Sequence, residues 1–216
     1  MKKLLVIDGN SILNRQFYGI RFLSTKDGFP TNAIFGFVNV IVKQLETLSP
    51  DYVAVAFDLK SPTFRHKMYG EYKAGRKPMP EELALQMPIA HSLAEALGLR
   101  VIEIAGYEAD DILGTLSRLC EENGDECIIA TGDRDSLQLI SDKTRVLLTA
   151  TKMGRPEIIN YDKAALKEKY GLSEDLEPIS VSTASASFGM EVQRKALVYT
   201  LVAILCILAY IAIRFE

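Results

Sequence analysis

Apolar positions follow two alternating rhythms along this chain. Short aliphatic, β-branched runs recur as "KLLVID", "YVAVAFD", "LRVIEI", "ECIIATGD" and "TRVLLT", the pattern of strands buried on both faces. Longer stretches between them repeat at helical spacing. Ile34, Phe37, Ile41, Leu45 and Leu48 form one stripe, with Thr31 placed to cap it and Pro50 beyond its end. Leu83, Met87, Ala90, Leu93 and Leu97 form a second, closed by Gly98. A third helix starts at "YEADD", runs to about Glu122 and stops at Gly124, and "YDKAALKEKYG" offers Asp162 as a cap and Gly171 as a stop. Alternation of this kind predicts an α/β domain with a mostly parallel sheet flanked by helices.

The pattern breaks after residue 178. "EPISVSTASASFG" reads as a linker, assigned to residues 179–195. Residues 196–213, "ALVYTLVAILCILAYIAI", contain no charge and no proline. As a helix this run would be about 27 Å long, near the thickness of a bilayer core, so it is a candidate transmembrane helix and a route to membrane insertion. A buried core helix, the alternative, would normally carry a polar face. The N-terminal apolar run meets Asp8 too soon for a signal sequence.

Composition narrows the classes. At 48% apolar and 25% charged residues, the 216-residue chain has the makings of a sizeable core. A net charge of -3 neither demands nor excludes a nucleic-acid partner. Cys120, Cys127 and Cys206 lack zinc spacing and read as reduced thiols of a cytoplasmic protein. Neither His66 nor His91 has the neighbours of a triad or zinc site, and no glycine-rich nucleotide-binding motif occurs.

Acidic residues stand where strands end. "KLLVID" ends at Asp8, "YVAVAFD" at Asp58, and "ECIIATGD" reaches Asp133 with Asp135 just beyond. Ligands of open parallel sheets bind outside the carboxyl ends of the strands. Glu108, Asp110 and Asp111 open the third helix. On a regular helix Glu108 and Asp111 share neighbouring faces while Asp110 points elsewhere; all three turn inward only if Glu108 sits at or before the cap. Each acid alone suits a turn or a helix dipole. Gathered at one edge, they repel unless a hard divalent cation, Mg²⁺ or Mn²⁺, relieves them.

A basic, aromatic stretch follows Asp58. Lys60, Arg65, Lys67, Lys73, Arg76 and Lys77 face a single acid, Glu71, and Phe64, Tyr69 and Tyr72 are interleaved. Cations hold phosphates and aromatic rings stack unpaired bases. Arg15, beside Phe17 and Tyr18, is a further phosphate contact or a helix surface residue.

"VIDGNSILNRQFYG", "GFPTNAIFGF", "AFDLKSPTFRHKMYGEYKAGRKPMPEEL", "GYEADDILGTL" and "TGDRDSLQL" together resemble the 5′-nuclease (5′-3′ exonuclease) domain of bacterial DNA polymerase I, in the flap-endonuclease family, over residues 1–178. The resemblance implies a PIN-like, Rossmannoid α/β fold with a helical arch, followed here by a single C-terminal apolar helix. It implies hydrolysis of DNA with a 5′ flap or nick, using two divalent ions in the intact family. It assigns metal ligation to Asp8, Asp58, Glu108, Asp110, Asp111, Asp133 and Asp135. Lys73 and Arg76 are assigned to the scissile phosphate, and Arg65, Tyr72 and Arg15 to DNA.

The family pattern continues past "KYGL" into a segment with two further metal-binding aspartates and a helix-hairpin-helix, and in the intact family into a polymerase domain. This sequence lacks them, so impaired turnover is expected, and a catalytically inactive nucleic-acid-binding remnant is the alternative. The tail from residue 186 resembles a transmembrane helix of SecD/SecF-type protein-export subunits, which would make the chain a membrane-anchored fusion. A haloacid-dehalogenase phosphatase also sets Asp after its first strand, but expects "DxDx[TV]" where this chain has "DGNS".

Overall fold

The computed structural model describes residues 1–171 apart from 60, 70, 71, 74, 76, 77, 153 and 154, with backbone alone at 151, 152, 155 and 156. The linker and apolar run expected at residues 179–213 lie outside the described residues, as does Arg76. Among the described residues no helix is long and apolar enough to cross a membrane. All described elements belong to one unit, Met1–Gly171.

Six strands form one sheet in the order β3-β2-β1-β4-β5-β6. They are β1 (Lys3–Asp8), β2 (Tyr52–Ala56), β3 (Arg100–Ile102), β4 (Glu126–Thr131), β5 (Thr144–Lys152) and β6 (Arg155–Tyr161). The first five run parallel, and β6 returns antiparallel to β5. The chain leaves β1 toward β2 and β3, then comes back to build β4 on the other side of β1. That reversal is a topological switch point, where such sheets open a crevice at their carboxyl edge. Strand β6 was not anticipated: Pro156 and the polar residues Arg155, Glu157 and Asn160 of "RPEIINY" suit an edge strand better than a buried one.

Helices cover both faces. On one side α1 (Gly9–Gly19), α2 (Asn32–Leu48) and α4 (Glu81–Ala96) pack on Leu5, Ile7, Val55, Ile128 and Ala130. On the other, α5 (Ala109–Asn123) and α6 (Lys163–Tyr170) cover Val6, Ala54, Ala56 and Ile129. Alternate residues of each strand therefore point to opposite layers, and both layers are apolar. Of the expected helical arch, the described residues show one five-residue helix, α3 (Phe64–Met68), and the turns at Tyr72 and Lys73.

One contact fixes how α1 leaves β1. Gly9 opens α1 directly over the buried Phe57 ring, and a β-carbon there would sit 2.3 Å from Phe57 Cε1. Phe57 is 3% exposed and packs against the rings of Phe37 and His91. Gly9→Ala is expected to destabilise the protein by roughly 1–3 kcal/mol, the usual cost of overpacking a core. Urea titration monitored by circular dichroism reads it; a midpoint equal to the parent's would show that the ring moves freely.

Candidate active site

Three strand ends bring their acids together because β1 lies between β2 and β4. Asp8 closes β1, Asp58 follows β2 and Asp133 follows β4. They line one cleft of about 660 Å³ together with Glu108, Asp110, Asp135, Arg15, Tyr72 and Lys73. Nine of the twelve expected site residues thus line one place in the fold; Asp111 and Arg65 stand aside from its lining and Arg76 is not described.

Asp8 is 2% exposed and doubly held. Its Oδ1 accepts from the Ser11 amide at 3.0 Å, which caps α1, and its Oδ2 accepts from Thr131 Oγ1 at 2.8 Å. Thr131 Oγ1 in turn accepts from the Asp133 amide at 3.0 Å, and Ser11 Oγ from the Gly132 amide at 3.0 Å. These hydroxyls tie the ends of β1 and β4 into one edge. Arg15 reaches the same edge, donating to the Gly132 carbonyl at 2.7 Å. Asp58 accepts from the Ala109 amide at 2.6 Å, and its own amide donates to Asn10 Oδ1 at 3.1 Å. Asn10, Ser11 and Thr131 were missed as site residues, although "DGNS" and "ATGD" place them beside two of the aspartates.

Glu108 is the N-cap of α5, in extended conformation. From there Glu108 and Asp110 enter the cleft, while Asp111 turns away to receive its amide hydrogen bond from Glu108 at 2.9 Å. The basic segment meets these acids directly. Arg65 donates to both Asp111 oxygens at 2.8 and 2.7 Å. Lys73, at φ 62°, donates to Glu108 Oε1 at 2.7 Å, and the Tyr72 hydroxyl to Oε2 at 3.1 Å. The expectation that Asp111 joins the other acids is therefore not what the structure places: both its oxygens are occupied by a guanidinium. Arg65, Tyr72 and Lys73, expected on DNA, are here spent on carboxylates.

Charge is unevenly settled across the cleft. Burial pushes the Asp8 carboxyl up to about 7, and the nearby Asp110 and Asp58 add to it. Burial in the cleft, then the charges of Asp133, Asp58 and Glu108, also push Asp110 up. Asp110 still presents substantial surface to solvent. Glu108 goes the other way: burial acts to raise it, but Lys73, Tyr72 and Arg65 hold it below its ordinary value. Arg65 does the same for Asp111.

The donor set suits a hard divalent cation: six carboxylates, no thiolate and no imidazole, with the buried Asp8 carboxyl at its edge. As they stand, no three acidic side chains among the described residues are drawn closely enough together to hold an ion. The reason is visible in the hydrogen bonds, which pull Glu108 toward Lys73 and Asp58 toward the α5 amide.

An α/β/α sandwich with carboxylates massed at the carboxyl edge of its sheet, beside a cationic segment, defines the class of resolvase-like folds with an acidic cleft. The chain belongs to the family described as 5′-3′ exonuclease, N-terminal resolvase-like domain, whose pattern it matches over residues 3–171. It is 46% identical over 170 residues to DNA polymerase I of Caldicellulosiruptor bescii, 42% over 174 to that of Bacillus subtilis, and 41% over 173 to the thermostable enzyme of Thermus aquaticus. These alignments cover 79%, 81% and 80% of the chain but 20% of each relative, so the chain spans about a fifth of their length. Among solved structures, the fold is similar to that of the phage T5 5′-exonuclease with bound zinc, at TM-score 0.61 and 21% identity, covering 79% of this chain and 62% of that one. The T5 flap endonuclease in a complex with DNA and metal ions is similar at TM-score 0.60 and 19% identity, covering 79% and 61%.

Proposed function

We propose that this chain is the divalent-metal-dependent 5′-3′ exonuclease and flap-endonuclease domain of a DNA polymerase I-type protein, hydrolysing phosphodiesters of DNA that carries a 5′ flap or nick. The observation that carries this reading is the acidic cleft itself, where Asp8 and Asp110 lie buried or crowded without a neutralising partner while a cationic segment waits at the margin. The named relatives and the metal-bound phage enzymes support it.

In this reading Asp8, Asp58, Glu108, Asp110, Asp133 and Asp135 would hold Mg²⁺ or Mn²⁺. When bound, such ions lower the pKa of water and steady charge on phosphodiester oxygens. The chain's own residues do the rest. Lys73 exchanges Glu108 for the scissile phosphate, and Arg76 joins it there. Arg65 and Tyr72 meet the single strand, with Asp111 fixing where Arg65 starts from. Arg15 steadies the loop that carries Asp133 and presents its remaining N–H groups to a phosphate. Ser11 and Thr131 keep Asp8 aimed into the cleft. The direct test incubates the full chain with labelled 5′-flap DNA and Mg²⁺, Mn²⁺ or chelator; cleavage that ignores chelator would refute it.

Metal binding has a second readout that needs no turnover. The folded Asp8 carboxyl titrates near 7, above its ordinary 3.8. Its protonated form therefore favours the fold fully below about 3.8, and that contribution disappears as pH rises through 7. At pH 8 the metal-free fold carries the ionised, buried group. The melting temperature is accordingly expected to rise more with 10 mM Mg²⁺ at pH 8 than at pH 5.5, where the proton competes with the ion. Equal shifts at both values, by differential scanning fluorimetry, would place the ion elsewhere.

A further inference from the structure

Helix α3 buries none of its five residues, so no apolar stripe holds it in place. A helix this short does not stand alone in water. Its order comes from polar contacts, and His66 makes the first of them. The Thr63 amide, just before the helix, donates to His66 Nδ1 at 3.2 Å, and the Thr63 hydroxyl lies 2.8 Å from the same nitrogen. An amide can only donate, so Nδ1 accepts, and a neutral ring then carries its proton on Nε2. A side chain that reaches back from the third helical position to the N-cap amide closes a capping box, a place usually filled by glutamate or glutamine. Thr63 is 5% exposed, so without His66 its amide would lose an acceptor in a buried position.

The facing helix starts in the same way. Asp111 stands at the third position of α5 and takes the Glu108 amide at 2.9 Å. Arg65, next to His66 in α3, buckles the two starts together by donating to both Asp111 oxygens. The imidazole also meets the Tyr72 ring edge-on, with centroids 5.2 Å apart and planes at 89°, while the Tyr72 hydroxyl donates to Glu108. His66 thus stands between Arg65 and Tyr72 without lining the cleft itself. We propose that His66 is a positioning residue of this nuclease: by capping α3 it holds Arg65, and behind it Tyr72, in the geometry that meets a single-stranded flap. The proposal rests on the nuclease reading above, which sends those two side chains to the single strand. A segment ordered before binding loses less freedom when it binds, so the effect falls on affinity for the flap and not on the duplex beside it.

The experiment compares the full chain with three variants. His66→Asn keeps an acceptor and loses the ring. His66→Phe keeps a ring and loses the acceptor. His66→Ala loses both, although alanine favours a helix. Hydrogen exchange of residues 64–69 without DNA is expected to run about 3- to 10-fold faster in His66→Ala and His66→Phe, the worth of one net hydrogen bond, and to stay within about threefold of the parent in His66→Asn. Anisotropy of labelled DNA, with Ca²⁺ as the divalent ion, is expected to show 5′-flap binding weakened by the same factors, while a nicked duplex without a flap binds all four proteins alike. Melting temperatures should match the parent's, because α3 contributes nothing to the core; a fall common to the three variants would make His66 a core side chain and overturn this inference. Exchange unchanged in His66→Ala, rescue by His66→Phe in place of His66→Asn, or equal weakening of both DNAs would also overturn it and leave the nuclease reading standing. A parent chain that binds neither DNA would overturn both.

Discussion

Asp110→Ala is expected to lower metal-dependent cleavage of 5′-flap DNA by roughly 10²–10³-fold, the scale of removing one group that stabilises charge developing at a reacting centre. Asp111→Ala is expected to stay within about tenfold of the parent, with the loss in the DNA concentration required rather than in the maximal rate. The two acids are adjacent in sequence and chemically identical, so the contrast isolates geometry. Asp110 faces the cleft and feels Asp133, Asp58 and Glu108, a repulsion that only a cation placed among them relieves. Asp111 stands aside with both oxygens on Arg65. Removing it frees a guanidinium at the root of the basic segment and leaves the carboxylate set of the cleft complete. Initial rates over a range of Mg²⁺ and DNA concentrations separate the two effects. The Mg²⁺-induced rise in melting temperature should vanish in Asp110→Ala and survive in Asp111→Ala, whatever the turnover of the parent. If both variants fell together in both measurements, the division of labour between them would be wrong.

That division was not legible in the sequence, for a reason confined to one residue. Glu108 is the cap, with φ −100° and ψ 162°, the condition under which all three acids could turn inward, but Asp111 at the third helical position is held by the Glu108 amide and by Arg65 instead. Much else was legible where local chemistry decides. Buried parallel strands announce themselves as unbroken apolar runs, and their terminal aspartates inherit a position from the sheet. Gly124 and Gly171 end their helices in the left-handed conformation that glycine permits, at φ 73° and 64°. A cavity of about 540 Å³ beside the cleft was invisible, because its walls come from the segment after β2, from α4 and from the residue after β3, and no spacing rule links Phe57 to Pro88 or Glu103. Thr31 failed as a cap for the same kind of reason: its side chain makes no capping hydrogen bond, and the donors it was to satisfy are served from another helix.

That service makes Gln86 a polar side chain on which the packing of this helix layer depends. It is fully buried in α4, and its Oε1 accepts from the Ala33 and Ile34 amides at 2.8 and 3.2 Å, two of the first free N–H groups of α2. Its Nε2 donates to Asn32 Oδ1 at 3.2 Å and to the Glu82 carbonyl at 2.9 Å. Asn32 passes the connection on, donating to the Phe17 carbonyl at the end of α1 at 2.8 Å. One amide thus joins the three helices of that layer where apolar packing alone would let them slide. Gln86→Met keeps length and volume but strands two amides and a carboxamide oxygen away from water. At 1–3 kcal/mol for each unsatisfied group, less what relaxation recovers, the expected loss is about 2–4 kcal/mol. Gln86→Glu should cost less, because a carboxylate oxygen still takes both amides at the positive end of α2 and forfeits only the two donated bonds. Urea unfolding of the parent and both variants checks the order. Equal midpoints for Gln86→Met and the parent would mean that water enters and caps α2 in place of the side chain; a Gln86→Glu variant weaker than Gln86→Met would mean that burying the charge outweighs the cap.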